Sequence, residues 1–121
     1  MEEVYRVEHD SLGEMKVPAG AYYGANTLRA VQNFPITGNP VDREFIRAMV
    51  EVKKAAALMN LEVHQLNEER AHAIVNACDR ILAGENLDQF VVDPIQGGAG
   101  TSFNMNTNEV IANMATEALG G

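Results

Sequence analysis

DREFIRAMVEVKKAAALMNLEV, residues 42–63, is the longest periodic run in the chain. Phe45, Met49, Val52, Ala56, Met59 and Val63 recur at helical spacing, and Ile46, Val50, Ala57 and Leu61 widen the stripe. Asp42 is placed to cap the helix, with Glu44 in its first turn where the dipole favours an acid. Ala55-Ala56-Ala57 allows a neighbouring helix to approach closely. The spacing predicts a helix over 42–63.

Outward from this run the same signals recur. Asn67 starts a second helix, with Glu68 and Glu69 in its first turn, Arg80 near its last and Gly84 as the stop. Ala71, Ile74, Val75, Cys78, Ile81 and Leu82 form its apolar face. A final helix buries Val110, Ile111, Met114, Ala115, Ala118 and Leu119, and Asn106 with Glu109 has capping-box spacing. Upstream, TLRAVQNF (27–34) reads as a short helix with Thr27 near its cap, ended by Pro35 and Gly38-Asn39-Pro40. Residues 1–24 read as two extended pieces around a Ser11–Glu14 turn, a small hairpin. Gln89–Ile95 is extended in tendency, and Asp88 and Asp93 read as turn or cap residues. The fold class is mainly α: a small β-hairpin followed by about three principal helices. Met49, Met59 and Met114 read as core fillers.

Composition narrows the function. The 121 residues are 46% hydrophobic and 21% charged, as in a folded globular chain. The net charge of −8, with no cationic cluster beyond Lys53–Lys54, disfavours nucleic acid and anionic membrane surfaces as partners. One cysteine, Cys78, excludes an internal disulfide. The acidic N-terminus lacks the apolar core of a signal peptide, so a cytoplasmic location is expected. His9, His64 and His72 have no metal-ligand spacing, so no metal site is expected.

The chemistry concentrates in QGGAGTSFNMNTNEVIAN, residues 96–113. Gly97, Gly98 and Gly100 let backbone approach a ligand. Thr101 and Ser102 present hydroxyls, and Asn104, Asn106, Thr107 and Asn108 add amides and another hydroxyl. A helix starts within the run, and its unsatisfied N–H groups favour a carboxylate or phosphate. Two readings fit these residues: an anion cradle, or a polar loop with Asx caps before a buried helix. No P-loop, dinucleotide fingerprint or nucleophile elbow is present.

GGAGTSFNMNTNEVIAN resembles the first of the three sequence regions that build the active site in the fumarase/aspartase superfamily. VPAGAYYGANTLRAVQNFPI (17–36) resembles that family's N-terminal block, and VKKAAALMN (52–60) the helix between them. The likeness covers nearly the whole chain. The loop has the aspartase form, GGAGTSxNMN, where class II fumarases read GSGTQSNMN. The resemblance implies a lyase that reversibly deaminates L-aspartate to fumarate and ammonia. In that family a serine removes a proton beside the β-carboxylate, an aci-carboxylate forms, and ammonia leaves. It implies that Thr101 binds substrate, flanked by Ser102 and Asn104, and that Gly98, Gly100, Asn106 and Asn108 support the loop and the helix cap. Arg29 is a further candidate for a substrate carboxylate, weighed against a surface ion pair. The family's GSSxMPxKxNP serine loop and its Ser-Thr-Asn and His region do not occur here. The resemblance therefore implies that residues 1–121 are the N-terminal lyase domain, without the central helix bundle and C-terminal domain. The fragment is therefore expected to contain no catalytic group of its own and to be inactive alone. It also implies a homotetrameric parent that acts on a small dicarboxylate, requires no cofactor, and leaves room for activation by a divalent metal. The isolated fragment is expected to self-associate. A class II fumarase fragment and a noncatalytic helical interaction domain are the alternatives.

Overall fold

The computed structural model describes residues 4–10, 12–33, 37, 41–93 and 101–120. Strands β1 (Tyr5–Asp10) and β2 (Gly13–Pro18) form an antiparallel hairpin, with Tyr5 opposite Pro18 and Asp10 opposite Gly13. Gly13 leaves the turn at φ +126°, a conformation that L side chains rarely adopt. Val17 is fully buried and anchors the hairpin. The chain then runs without regular structure to Gly24, and Arg6 organises it. The Arg6 guanidinium donates to the carbonyls of Pro18, Ala19, Ala21 and Tyr23 at 2.6–3.2 Å, and to Glu8 at 2.7 Å. One fork of donors thus ties together the carbonyls between the end of β2 and Gly24.

Among the described residues four α-helices follow: α1 (Ala25–Asn33), α2 (Arg43–Glu62), α3 (Glu68–Leu82) and α4 (Thr101–Ala118). The expected caps of α2 and α3 form. Asp42 accepts from the Glu44 N–H at 2.8 Å and Asn67 from the Arg70 N–H at 2.8 Å. Gly84, at φ +103°, follows the end of α3. The core lies where α2, α3 and α4 meet and includes Ile46, Val50, Cys78, Ile81, Val110 and Met114. Phe103 on α4 packs edge-on against Phe90 and Phe45, with ring centroids 6.4 Å apart in both pairs. Burial raises the Cys78 thiol pKa to about 11, with the neighbouring Asp79 charge adding to the shift.

Several local expectations change. The apolar seam of α2 that leads its sequence pattern faces outward: Phe45, Val52, Met59 and Val63 are each more than half exposed. Ile46, Val50 and Ala57, on the adjoining stripe, face the core instead. Successive helical residues are turned by 100°, so two apolar stripes lie side by side, and periodicity cannot say which one this domain buries. Met59 is accordingly no core filler, whereas Met114 is. Gln89 to Asp93 forms no strand. Leu87–Gln89 is a single 3₁₀ turn, and Phe90 and Val92 are buried from an irregular segment.

That segment is held by Asn106. Asn106 does not cap α4: the helix begins five residues earlier, and Asn106 is a fully buried interior residue. Its Oδ1 accepts from the N–H groups of Val91 and Val92 at 3.0 and 3.4 Å, and its Nδ2 donates to the Gln89 carbonyl at 3.0 Å. Asp93, also buried, accepts from the Thr37 backbone N–H and hydroxyl at 2.6 and 2.9 Å.

Glu109, the other half of the expected capping box, caps a different helix. α1 starts at Ala25, two residues before the expected cap at Thr27, and Gly24 precedes it with no side chain to offer. The Glu109 carboxylate fills that role, accepting from the N–H groups of Asn26 at 3.2 Å and Thr27 at 2.8 Å and from the buried Thr27 hydroxyl at 2.5 Å. The same carboxylate complements the positive end of the α1 dipole. Gly24 leaves it room: a Cβ there would lie 2.5 Å from Glu109 Oε2.

Two stability changes follow. Asn106→Leu orphans three backbone groups, one buried and two partly buried, and urea denaturation is expected to show a loss of about 3 kcal/mol. Glu109→Ala removes the cap and is expected to cost about 1–2 kcal/mol. Gly24→Ala is expected to destabilise by dislodging the same carboxylate. The double variant should therefore fall short of the sum of the singles in a mutant cycle, and strict additivity would contradict this geometry.

Candidate functional site

The glycines that lead into α4, including Gly98 and Gly100, lie outside the described residues. The site can be built from α4 onward. Thr101 is its first residue and exposed, Ser102 and Asn104 are half-buried, and Phe103 turns inward to the core. The backbone N–H groups of this turn have no intrahelical acceptor. The turn contains no acidic side chain, so nothing on the helix itself neutralises its positive end. Two hydroxyls and a carboxamide thus sit at a helix N-terminus, a donor set that suits an anion.

Asn104 is fixed by one of the two adjacent lysines, Lys53 and Lys54. Lys53, in the middle of α2, extends its ammonium to Asn104 Oδ1 at 2.6 Å. Its neighbour Lys54 turns to α3 instead and pairs with Asp79 at 2.7 Å. Nothing in the local sequence distinguishes the two lysines, because the difference is a 100° rotation about α2 that points one toward α4 and the other toward α3.

The remaining candidates are spread more widely. Asn106 lies inside α4, as described above. Asn108 is half-buried and lines a cavity of about 310 Å³ with Lys53, Ala57, Asn60, Ile74 and Ile111. Thr107 is buried and its hydroxyl donates to the Phe103 carbonyl at 2.9 Å within the helix. Arg29 is half-buried on α1. That helix is docked through Glu109, about 12 Å along α4 from Thr101 at the usual helical rise. The structure therefore gathers Thr101, Ser102 and Asn104 into one turn with Lys53, and carries Arg29 on a separate element. Among the described residues, no three of His, Cys, Asp and Glu converge as metal ligands. Nor is any helix long and apolar enough to cross a membrane.

Comparison with known proteins places this arrangement in a family. A family model described as Lyase matches residues 13–120. The chain is 60% identical over 116 residues to an aspartate ammonia-lyase of Bacillus subtilis, covering 96% of this chain and 24% of that protein. It is 59% identical over 120 residues to a class II fumarate hydratase of Halobacterium salinarum, covering 99% of this chain and 26% of that protein. Among solved structures, the fumarate lyase:delta crystallin of Brucella melitensis superposes with a TM-score of 0.94 at 53% identity, over 97% of this chain and 28% of that one. The chain spans about a quarter of the length of these relatives. The helices and the short hairpin are thus those of a known architecture, and the chain belongs to the fumarase/aspartase superfamily of lyases, corresponding to its N-terminal region.

Proposed function

We propose that these residues form the N-terminal part of a lyase that reversibly deaminates L-aspartate to fumarate and ammonia. The observation that supports this most is the first turn of α4. Thr101, Ser102 and Asn104 stand at a helix N-terminus with no acid of its own, beside the Lys53 ammonium. A proton next to a carboxylate is weakly acidic. Its removal needs donors that bind the resulting dianionic aci-carboxylate more tightly than the ground-state carboxylate. Neutral donors at a helix N-terminus meet that need, because their dipoles are already oriented before charge develops. Thr101 contacts the β-carboxylate, and Ser102 and Asn104 flank it. Gly98 and Gly100 shape the approach to the turn, and Asn108 braces the helix behind it. Arg29 is a subsidiary carboxylate ligand. The GGAG form of the loop favours aspartate over malate.

The proton-abstracting base comes from other parts of the assembled enzyme, so the 121 residues alone do not turn substrate over. In this reading the parent is a cytoplasmic homotetramer that needs no cofactor, although a divalent metal can activate it. The outward seam of α2, through Phe45, Val52, Met59 and Val63, is where further polypeptide packs. A second reading, a class II fumarase, has specific support in the 59% identity to the Halobacterium enzyme. A noncatalytic helical domain that only binds partners is the third reading.

Two measurements test these statements. The product of the whole reading frame is assayed for fumarate absorbance with L-aspartate and with L-malate in parallel. Formation from aspartate alone is the expected result. Formation from malate alone moves the assignment to fumarase, and no reaction with either favours a binding domain. In light scattering, the 121-residue chain is expected to self-associate with rising concentration, less so as Val52→Glu. A monodisperse monomer at all concentrations would contradict the proposed role of the seam.

A further inference from the structure

We infer that Lys53 is the positioning residue of the α4 anion site, locking Asn104 with its amide N–H groups toward substrate; this rests on the functional reading above. A carboxamide has an acceptor end and a donor end, and only the donor end suits a carboxylate. Left free, Asn104 could present either. The Lys53 ammonium has three donors and no acceptor, so it can engage only Oδ1, which it does at 2.6 Å. With Oδ1 so held, Nδ2 is directed away from Lys53, and flipping the amide would set its NH₂ against an ammonium. The bond spans 51 residues and joins the middle of α2 to the first turn of α4, so the orientation is imposed by the fold and not by the loop.

The charge of Lys53 has a second consequence. Among the described residues no carboxylate forms an ion pair with it, in contrast to Lys54 with Asp79, Arg80 with Glu85 and Arg47 with Glu51. Lys53 is also half-buried. A partly desolvated cation whose partner is a neutral amide keeps its field, and that field adds to the positive end of α4. In a chain of net charge −8, such a local source is what offsets the long-range repulsion of an anionic dicarboxylate.

The test uses the enzyme from the whole reading frame as wild type, Lys53→Met, Lys53→Arg, Asn104→Ala and the Lys53→Met/Asn104→Ala double variant. Thermal melting, steady-state kinetics and calorimetric titration with fumarate are measured for each. Lys53→Met is expected to lower kcat/KM on the order of 10- to 100-fold, the range of a lost charged hydrogen bond. It should weaken fumarate binding in parallel, with Lys53→Arg recovering part of both. The double variant should lose less than the product of the two single losses, since Lys53 acts partly through that amide and partly through its field. Multiplicative losses in the double variant would overturn the inference, as would wild-type kcat/KM in Lys53→Met. So would a loss explained wholly by a lower melting temperature. A wild-type enzyme that neither turns over nor binds a dicarboxylate would instead sink the functional reading, and the positioning role with it.

Discussion

The carboxylate of Glu109 is the point on which the architecture turns. It leaves the middle of α4 and takes the place that a serine or aspartate would occupy before α1, where Gly24 has nothing to offer. Three donors on α1 converge on it, so α1 has no self-sufficient beginning and cannot be set apart from α4. The hairpin is tied into the same arrangement through the following segment. Arg6 gathers the carbonyls between β2 and α1, while Asn113 on α4 donates to the Tyr22 carbonyl at 2.6 Å and Gln89 accepts from the Tyr22 N–H at 2.8 Å. Tyr22 also donates its hydroxyl to Glu117, which raises the phenol pKa.

α4 is therefore a polar spine as much as an apolar one. One face buries Phe103, Val110, Ile111 and Met114, and between them stand the fully buried Asn106 and Thr107. A buried carboxamide is costly unless both of its ends are used. Asn106 uses both on the backbone of residues 89–92, which no sheet or helix satisfies. The arrangement converts an irregular segment into part of the core, letting Phe90 and Val92 pack at 1% exposure. Among the described residues no buried side-chain polar atom is left without a partner.

This rigidity matters at the first turn of α4. A helix N-terminus stabilises charge only if it is held still while charge develops. Phe103 anchors that turn to the core from within, and Lys53 reaches it from α2. The residues offered to solvent, Thr101 above all, thus sit on a support fixed from two sides. The outward seam of α2 shows the converse. It is apolar and helical in period yet unburied by this domain, as befits a region spanning about a quarter of the length of its relatives.

Helix identity, two of the caps and the turn at Gly13 were legible because each rests on residues within a few positions of one another. Asp42, Asn67 and Gly84 act on their own helices, and hydrophobic period follows from 3.6 residues per turn. The superfamily was legible in the asparagine rhythm of residues 97–113 for the same reason, since the motif is continuous. What local order could not reveal were pairings across the chain. Asn106 and Glu109 have the spacing of a capping box, and the chain uses both elsewhere, on partners 14 to 83 residues away. Lys53 and Lys54 are neighbours of one type, and only the packing of α2 against both α3 and α4 decides that one braces the site while the other makes an ion pair. Sequence alone determined which segments are helical and where they begin to be polar; the tertiary structure decided which side chain meets which, because the energy of a hydrogen bond or a buried face depends on a partner that spacing along one helix does not specify.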